Sequence, residues 1–185
     1  MSADSASEVT LGLARRVACE AAELGIPTAV IGAMALAAHG FIRATDDVDL
    51  GVCTPFSPTL QGLRNRLRDL GLSVTLRSPD DDDPLDGVLV VQDGDALVEV
   101  VNLRGRLGRT AIDNAEDLGE GLRCVRVAEL VALKLYAGGR SSNHDVHELL
   151  DANPGIDHEE VEHTCTSLGL ASQWTALVEQ RKSTL

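Results

Sequence analysis

Hydrophobic and polar positions along this 185-residue chain change period several times, and each change marks an element. Over residues 7–24, Val9, Leu13, Val17, Ala21 and Leu24 recur at helical spacing, with Ser7 placed to cap the start and Gly25 to stop the helix. "TAVIG" (28–32) reads as a short buried strand, and Gly32 leads into an Ala-rich helix, "AMALAAHG", that ends at Gly40. "DVDLGV" (47–52) is the second strand. "SPTLQGLRNRLRDLG" then carries Ser57 as N-cap, Pro58 at the first helical position, Leu60, Leu63, Leu67 and Leu70 on one face, and Gly71 past the end.

"LSVTLR" (72–77) alternates as a strand does, after which "SPDDDDPLDG" breaks the pattern; the like charges of Asp80 to Asp83 predict a solvated loop. "VLVVQ" and "ALVEVV", joined by "DGD" (93–95), predict a β-hairpin. From Val127 the spacing is helical throughout: "VAELVALKLYA", "NHDVHELL", "DHEEVEHTCTSLG" with Asp157 and Glu160 placed as a capping box, and "SQWTALVEQ". No internal repeat and no long linker interrupts the chain. The expectation is a core over residues 1–126 and a helical C-terminal region over 127–185 packed on the same domain.

Composition narrows this picture. At 44% apolar the chain fills one core, and with aromatics at 2% that core must be built from Leu, Val, Ile and Ala. A formal net charge of −13 argues against broad affinity for polyanions, which rests on Lys and Arg neutralising phosphates. A local basic patch remains: "NLRGRLGRT" groups Arg104, Arg106 and Arg109, either as a contact for phosphate or acceptor RNA or as a solvated turn. The four cysteines are far apart and form no C-x-x-C pair, which disfavours a zinc ribbon or a redox motif and fits reduced thiols. His144 and His147 lack a third ligand spaced with them and read as a surface pair. With no basic leader before an apolar run and no uncharged apolar stretch of about 20 residues, a soluble cytoplasmic protein with no membrane partner is expected.

The chemistry lies in "RATDDVDL" (43–50). Side chains on a strand alternate faces, so Asp47 and Asp49 project together with Val48 opposite. An isolated D-x-D is commonly an exposed strand end, and Glu99, inside the apolar run "LVEVV", would also fit the polar position of an edge strand. Gly32 favours a different reading, because a strand that turns into a helix there aims unpaired backbone N–H groups and a positive dipole end at an anion such as phosphate. Three converging carboxylates require a cation. Oxygen ligands select Mg²⁺ or Mn²⁺, held by one or two carboxylates together with substrate phosphates, which points to phosphoryl or nucleotidyl transfer.

In order and spacing, "IGA" (31–33), "DVD" (47–49) and "VEV" (98–100) resemble the signature of the DNA polymerase β-type nucleotidyltransferase superfamily in its minimal bacterial branch. "IGAMALAAHGFIRATDDVDLGV" is similar to the corresponding run of AbiEii-like toxins, and "ELVALKLYAGGRSSNHDVHELL" resembles their later Lys-to-Arg and Asp motifs, so the likeness covers roughly residues 26–150. One position departs: Ala33 stands where the family has Gly or Ser, which removes a side-chain hydroxyl and leaves a backbone N–H.

The resemblance implies an α/β fold, a small mixed and mostly antiparallel sheet with flanking helices and further C-terminal helices. It implies an enzyme that transfers a nucleoside monophosphate from a nucleoside triphosphate to a tRNA end, a protein or a small molecule such as an aminoglycoside, with a cognate antitoxin as a further partner. Asp47, Asp49 and Glu99 would bind Mg²⁺ or Mn²⁺ and carry catalysis; Gly32, Ala33, Arg43, Lys134, Arg140 and Asp145 would bind the nucleotide. For several of these the residues themselves leave two readings. Arg43 would contact phosphate or hold its loop by a salt bridge. Lys134, in a helix apolar nearly all round, would reach the triphosphate or snorkel to water. Asp145 would be a functional aspartate or part of an ordinary helix start with Ser142. The competing class is a nucleotidyltransferase-like module without catalysis that binds a partner.

Overall fold

The computed structural model describes residues 3–54, 56–77 and 85–184. Among them the chain runs α1 (Ala3–Glu23), β1 (Ala29–Val30), α2 (Gly32–Ala38), β2 (Asp47–Val52), α3 (Phe56–Asp69), β3 (Ser73–Arg77), β4 (Leu85–Asp93), β5 (Ala96–Leu103), α4 (Gly105–Asp113), β6 (Glu116–Gly119), β7 (Leu122–Cys124), α5 (Val127–Ala137), α6 (Gly139–Ala152), α7 (His158–Ser167) and α8 (Ala171–Thr184). The strands form one sheet in the order β3-β4-β5-β2-β1-β7-β6. Only the β2–β5 and β1–β7 ladders are parallel; β1–β2, β3–β4, β4–β5 and β6–β7 are antiparallel. This is the mixed, mostly antiparallel sheet with flanking helices that the sequence predicts.

Alternation explains the layers. Val48, Leu50 and Val52 on β2, Val98 and Val100 on β5, Leu89 and Val91 on β4 and Val74 on β3 are all buried, and helices α1 and α3 pack against these four strands. Leu13, Val17 and Ala21 of α1 and Leu60, Leu63 and Leu67 of α3 are the buried stripes they contribute. Each fully buried aliphatic side chain is worth about 1.5–3 kcal/mol relative to exposure, so this layer fixes which way the alternate residues must face. The opposite face carries Asp47 and Asp49. At one end it is covered by α4, where a Cβ on Gly51 would stand 3.2 Å from Ile112 and 3.1 Å from Ile31.

The C-terminal helices pack in sequence, α5 against α2, α4, α6 and α7, and α7 against α8. Two hydrogen bonds tie them to the end of α2: the His39 ring Nε2–H donates to the Val125 carbonyl at 2.7 Å, and Asn153 Nδ2 donates to the His39 carbonyl at 2.8 Å. The end of α2 is thereby held against the segment before α5 and the end of α6.

Several expectations need correction. Helix α1 begins at Ala3, so Ser7 lies inside it and caps nothing. Helix α3 begins at Phe56, ahead of Ser57; the side chains of Ser57 and Pro58, and the run Asp80–Asp83, lie outside the described residues. The capping box at α7 forms by half: Asp157 Oδ1 accepts from the backbone of Glu159 at 2.9 Å and Glu160 at 3.1 Å, whereas the Glu160 carboxylate pairs with Arg126. "RGRLGRT" is a helix and not a turn. Leu107, Ala111 and Ile112 supply its apolar stripe, obscured in the sequence by the arginines and glycines of this run. Gly108 is required there, since a Cβ would lie 2.6 Å from that of Leu103. Strands β6 and β7 carry no alternation signal long enough to read. All four cysteines are free, and burial pushes the Cys124 and Cys165 thiols up to about 11, which keeps them protonated.

Candidate active site

Strand β2 is central, and its parallel partner β5 sets Asp49 opposite Glu99 and Asp47 opposite Leu97. Asp47, Asp49 and Glu99 therefore share one face of adjacent strands, in a register that two-residue periodicity alone cannot supply. The Thr45 hydroxyl donates to Asp47 Oδ1, fixing one of the three.

Gly32 closes the site from above. Its φ is +64°, and a Cβ there would sit 2.0 Å from Asp49 Oδ2, so any other residue would collide with the carboxylate. The Ile31 N–H donates to the Asp49 carbonyl at 2.9 Å, which pins the strand-to-helix turn on β2. Helix α2 has no side-chain cap and no acidic residue in its first turn. Ala33, in that first turn, is buried.

Electrostatics follow from this crowding. Burial, then Asp47, then Glu99 raise the Asp49 pKa from 3.8 to about 6, against opposing pulls from Lys134 and Arg43. Those two cations are themselves anchored elsewhere. Lys134 Nζ lies 2.7 Å from Asp145 Oδ2, with 15% of its side chain exposed against 2% for Asp145. Arg43 NH1 lies 3.6 Å from the same oxygen and 3.5 Å from the Ser141 hydroxyl. Asp145 thus clasps the loop before β2 to helices α5 and α6, while its Oδ1 is buried without a hydrogen-bond partner. In this arrangement Arg43 holds its loop by a salt bridge and Asp145 is the counter-ion of Lys134; Ser142 does not cap α6, whose N-cap is Gly138.

Two hollows flank α2. One, of about 250 Å³, is apolar along Ile31, Val101, Leu107 and Leu130 and also carries Gly32, Lys134, Arg104 and Ser142. The other, of about 760 Å³, is lined by Ala33, Met34, Arg43, Asp46, Asp47 and Asp95 among others. Gly32, Lys134 and Arg104 are thus brought to one side of α2, and Ala33, Arg43 and Asp47 to the other. Arg140 lies exposed in the first turn of α6 and lines neither hollow, and Arg106 and Arg109 are exposed on α4. His144 is a surface residue, 3.8 Å from Glu148.

One residue at the site carries no signal in the sequence. Arg77 at the end of β3 donates from its guanidinium to Glu99 Oε1 at 2.5 Å. Only the β3-β4-β5 register brings them together, 22 positions apart.

The donor set suits a hard cation: Asp47 and Asp49 offer carboxylate oxygens beside a cradle that a Cβ at Gly32 would fill. Among the described residues no three His, Cys, Asp or Glu side chains gather into a group that would hold an ion by themselves. Two carboxylates suffice for Mg²⁺ when substrate phosphates complete its shell, so the residues present fit the ion.

No protein-family model matches the chain, and no curated protein matches it in sequence. Solved structures do. The antibiotic-resistance factor ANT(2″)-Ia superposes with a TM-score of 0.53 at 15% identity, covering 96% of this chain and 98% of that one. An antigenic nucleotidyltransferase-like protein from Paracoccidioides brasiliensis superposes with a TM-score of 0.52 at 16% identity, covering 96% and 94%. At these identities the likeness is one of fold, and this chain has the fold of nucleotidyltransferases.

Proposed function

We propose that this protein is a nucleotidyltransferase dependent on Mg²⁺ or Mn²⁺, which moves a nucleoside monophosphate from a nucleoside triphosphate to an acceptor and releases pyrophosphate. The observation that carries this reading is the placing of Asp47, Asp49 and Glu99 on one face of two parallel strands, with Asp49 packed under the Gly32 turn. Asp47 and Asp49 would hold the metal, with Glu99 completing the set. When bound, the ion supplies charge neutralisation at the transferred phosphorus and at the leaving pyrophosphate.

The chain's own groups account for the rest. The uncapped turn at Gly32 and the Lys134 ammonium give the triphosphate backbone N–H donors and a fixed positive charge, and the apolar hollow beside them has room for a nucleoside. The acceptor oxygen would reach the α-phosphorus across the sheet face, where Glu99 takes its proton. A bond forms from the acceptor oxygen to the α-phosphorus as the bond to the β-phosphate oxygen breaks. The larger hollow by Asp47 gives the acceptor, a tRNA end, a protein or a small molecule such as an aminoglycoside, a place to lie. On the resemblance at residues 26–150, we further propose the AbiEii-like branch and a toxin role with a cognate antitoxin. Among the described residues no helix is long and apolar enough to cross a membrane.

A non-catalytic partner-binding module is the second reading, and the engagement of Glu99 by Arg77 favours it. Incubation with labelled nucleoside triphosphates, Mg²⁺ and a cell extract separates the two. Transfer predicts label on one acceptor class, lost in Asp47→Asn and Asp49→Asn with the fold intact. Equal labelling by both variants and the parent would remove the catalytic assignment.

A further inference from the structure

The sheet register puts Asp49, Glu99, Val90 and Thr75 in one row across β2, β5, β4 and β3, with Arg77 two residues beyond Thr75 on the same face. Its side chain crosses the intervening strand to reach Glu99, and the partners are unequally placed: Glu99 has 22% of its side chain exposed and Arg77 has 60%. Glu99 thus sits between two kinds of neighbour. On one side are Asp47 and Asp49, which repel it; on the other is a guanidinium at 2.5 Å. A carboxylate so placed turns toward the cation it has, here the Arg77 guanidinium.

We infer that Arg77 is the counter-ion of Glu99 when no divalent cation is bound and competes with that cation for it, so that metal loading releases the Arg77 guanidinium onto the exposed face of β3. This rests on the proposed metal site at Asp47 and Asp49 and adds a positioning residue to it. The released group is a planar fork suited to phosphate or carboxylate. By reciprocity, an acceptor anion that takes Arg77 tightens metal binding by the same factor that metal tightens the anion's hold. Metal and an anionic acceptor would then load cooperatively, with no contact between their ligands except through the Arg77–Glu99 pair.

Mn²⁺ titration of this chain by calorimetry, without nucleotide, tests this. Arg77→Ala should bind Mn²⁺ about two- to fivefold more tightly than the parent, the range set by an exposed ion pair. Arg77→Lys, which keeps the charge and loses the fork, should fall between. In a Glu99→Gln background Arg77→Ala should leave the affinity unchanged, because the competitor then has nothing to compete for. An equal gain in that background would mean that Arg77 acts by long-range charge, and the inference falls. Unchanged or weaker Mn²⁺ binding by Arg77→Ala, with or without a lower melting temperature, also overturns it and reduces Arg77 to a strand fastener. In either case Mn²⁺ binding that still depends on Asp47 and Asp49 leaves the proposed metal site standing. If the parent binds no Mn²⁺ without nucleotide, this inference fails; if the parent and Asp49→Asn bind Mn²⁺ equally, with and without a nucleoside triphosphate, the metal site fails with it.

Discussion

Asp145 and Asp49 both feel the charges of Lys134 and Arg43, and together they show that depth of burial does not by itself decide how a carboxylate is held. Asp145 is the deeper, with 2% of its side chain exposed, yet two cations share one of its oxygens. Asp49 is less buried, yet burial first and then the carboxylates of Asp47 and Glu99 beside it drive its pKa up to about 6, against weaker pulls from Lys134 and Arg43. The first cluster is built to be complete; the second is built one cation short. A fold tolerates the second arrangement where something else supplies the missing charge.

The largest effect should come from breaking the complete cluster. Asp145→Ala leaves the Lys134 ammonium on a side chain only 15% exposed, and removing one partner of a buried ion pair typically costs about 3–5 kcal/mol. At about 2–4 °C per kcal/mol for a chain of this length, the melting temperature should fall by roughly 10 °C. A double variant, Asp145→Ala with Lys134→Met, should recover much of the loss, because no charge is then stranded. A loss under about 1 kcal/mol in the single variant would show that Lys134 has another outlet, and the contrast with Asp49 would collapse.

The incomplete cluster should respond to its missing charge. Mg²⁺ with a nucleoside triphosphate at about 100 times its dissociation constant adds roughly 2.7 kcal/mol, a rise of several degrees in melting temperature. Asp47→Asn and Asp49→Asn should each lose most of that rise. Asp145→Asn should keep a measurable part of it, since Asp145 is not placed to hold the ion. Thermal melts with metal alone, nucleotide alone and both together sharpen the comparison, because only the complete set should stabilise fully.

Most of the fold and half of the site were legible in the sequence, for reasons that can be assigned residue by residue. "DVDLGV" coincides with β2 because its polar and apolar positions alternate, and "VAELVALKLYA" with α5 because a run of helix formers continues unbroken to the glycines at 138 and 139. The co-facing of Asp47 and Asp49 follows from alternation alone. The Asp49–Glu99 register does not, since it depends on how two strands 50 residues apart align. Arg77 was illegible for the same reason, doubled: its contact with Glu99 runs through two ladders. Helix α4 was masked by its own arginines, and Ser7 misled because a good capping residue is equally at home inside a helix that starts earlier. The clasp of Asp145 on Lys134 and Arg43 needed helix packing that no periodicity encodes.

The smallest effect is the pH dependence of the metal-free protein, and it separates the two carboxylates most cleanly. Asp49 has a folded pKa of about 6 against an ordinary value of 3.8, so the native state binds its proton more tightly than the unfolded chain does. The stabilisation this contributes is fully present below the unfolded value and is lost as pH rises through about 6. Repulsion by Asp47 and Glu99 is then fully expressed. A shift of this size sets an upper figure near 3 kcal/mol, which water access and relaxation reduce to about 1–2 kcal/mol. Asp49→Asn removes the titration, so its melting temperature should equal or exceed the parent's at pH 8 and lose that advantage by pH 4.5. Metal should show the mirror image: loading expels the Asp49 proton, so Mg²⁺ affinity should weaken as pH falls below about 6. Melts of parent and variant across this range, with and without Mg²⁺, give the four curves needed. If Asp49→Asn is instead destabilised at pH 8 without metal and keeps the full ligand-induced rise, then Asp49 is a structural hydrogen-bond acceptor like Asp145, and the ion is held by other residues.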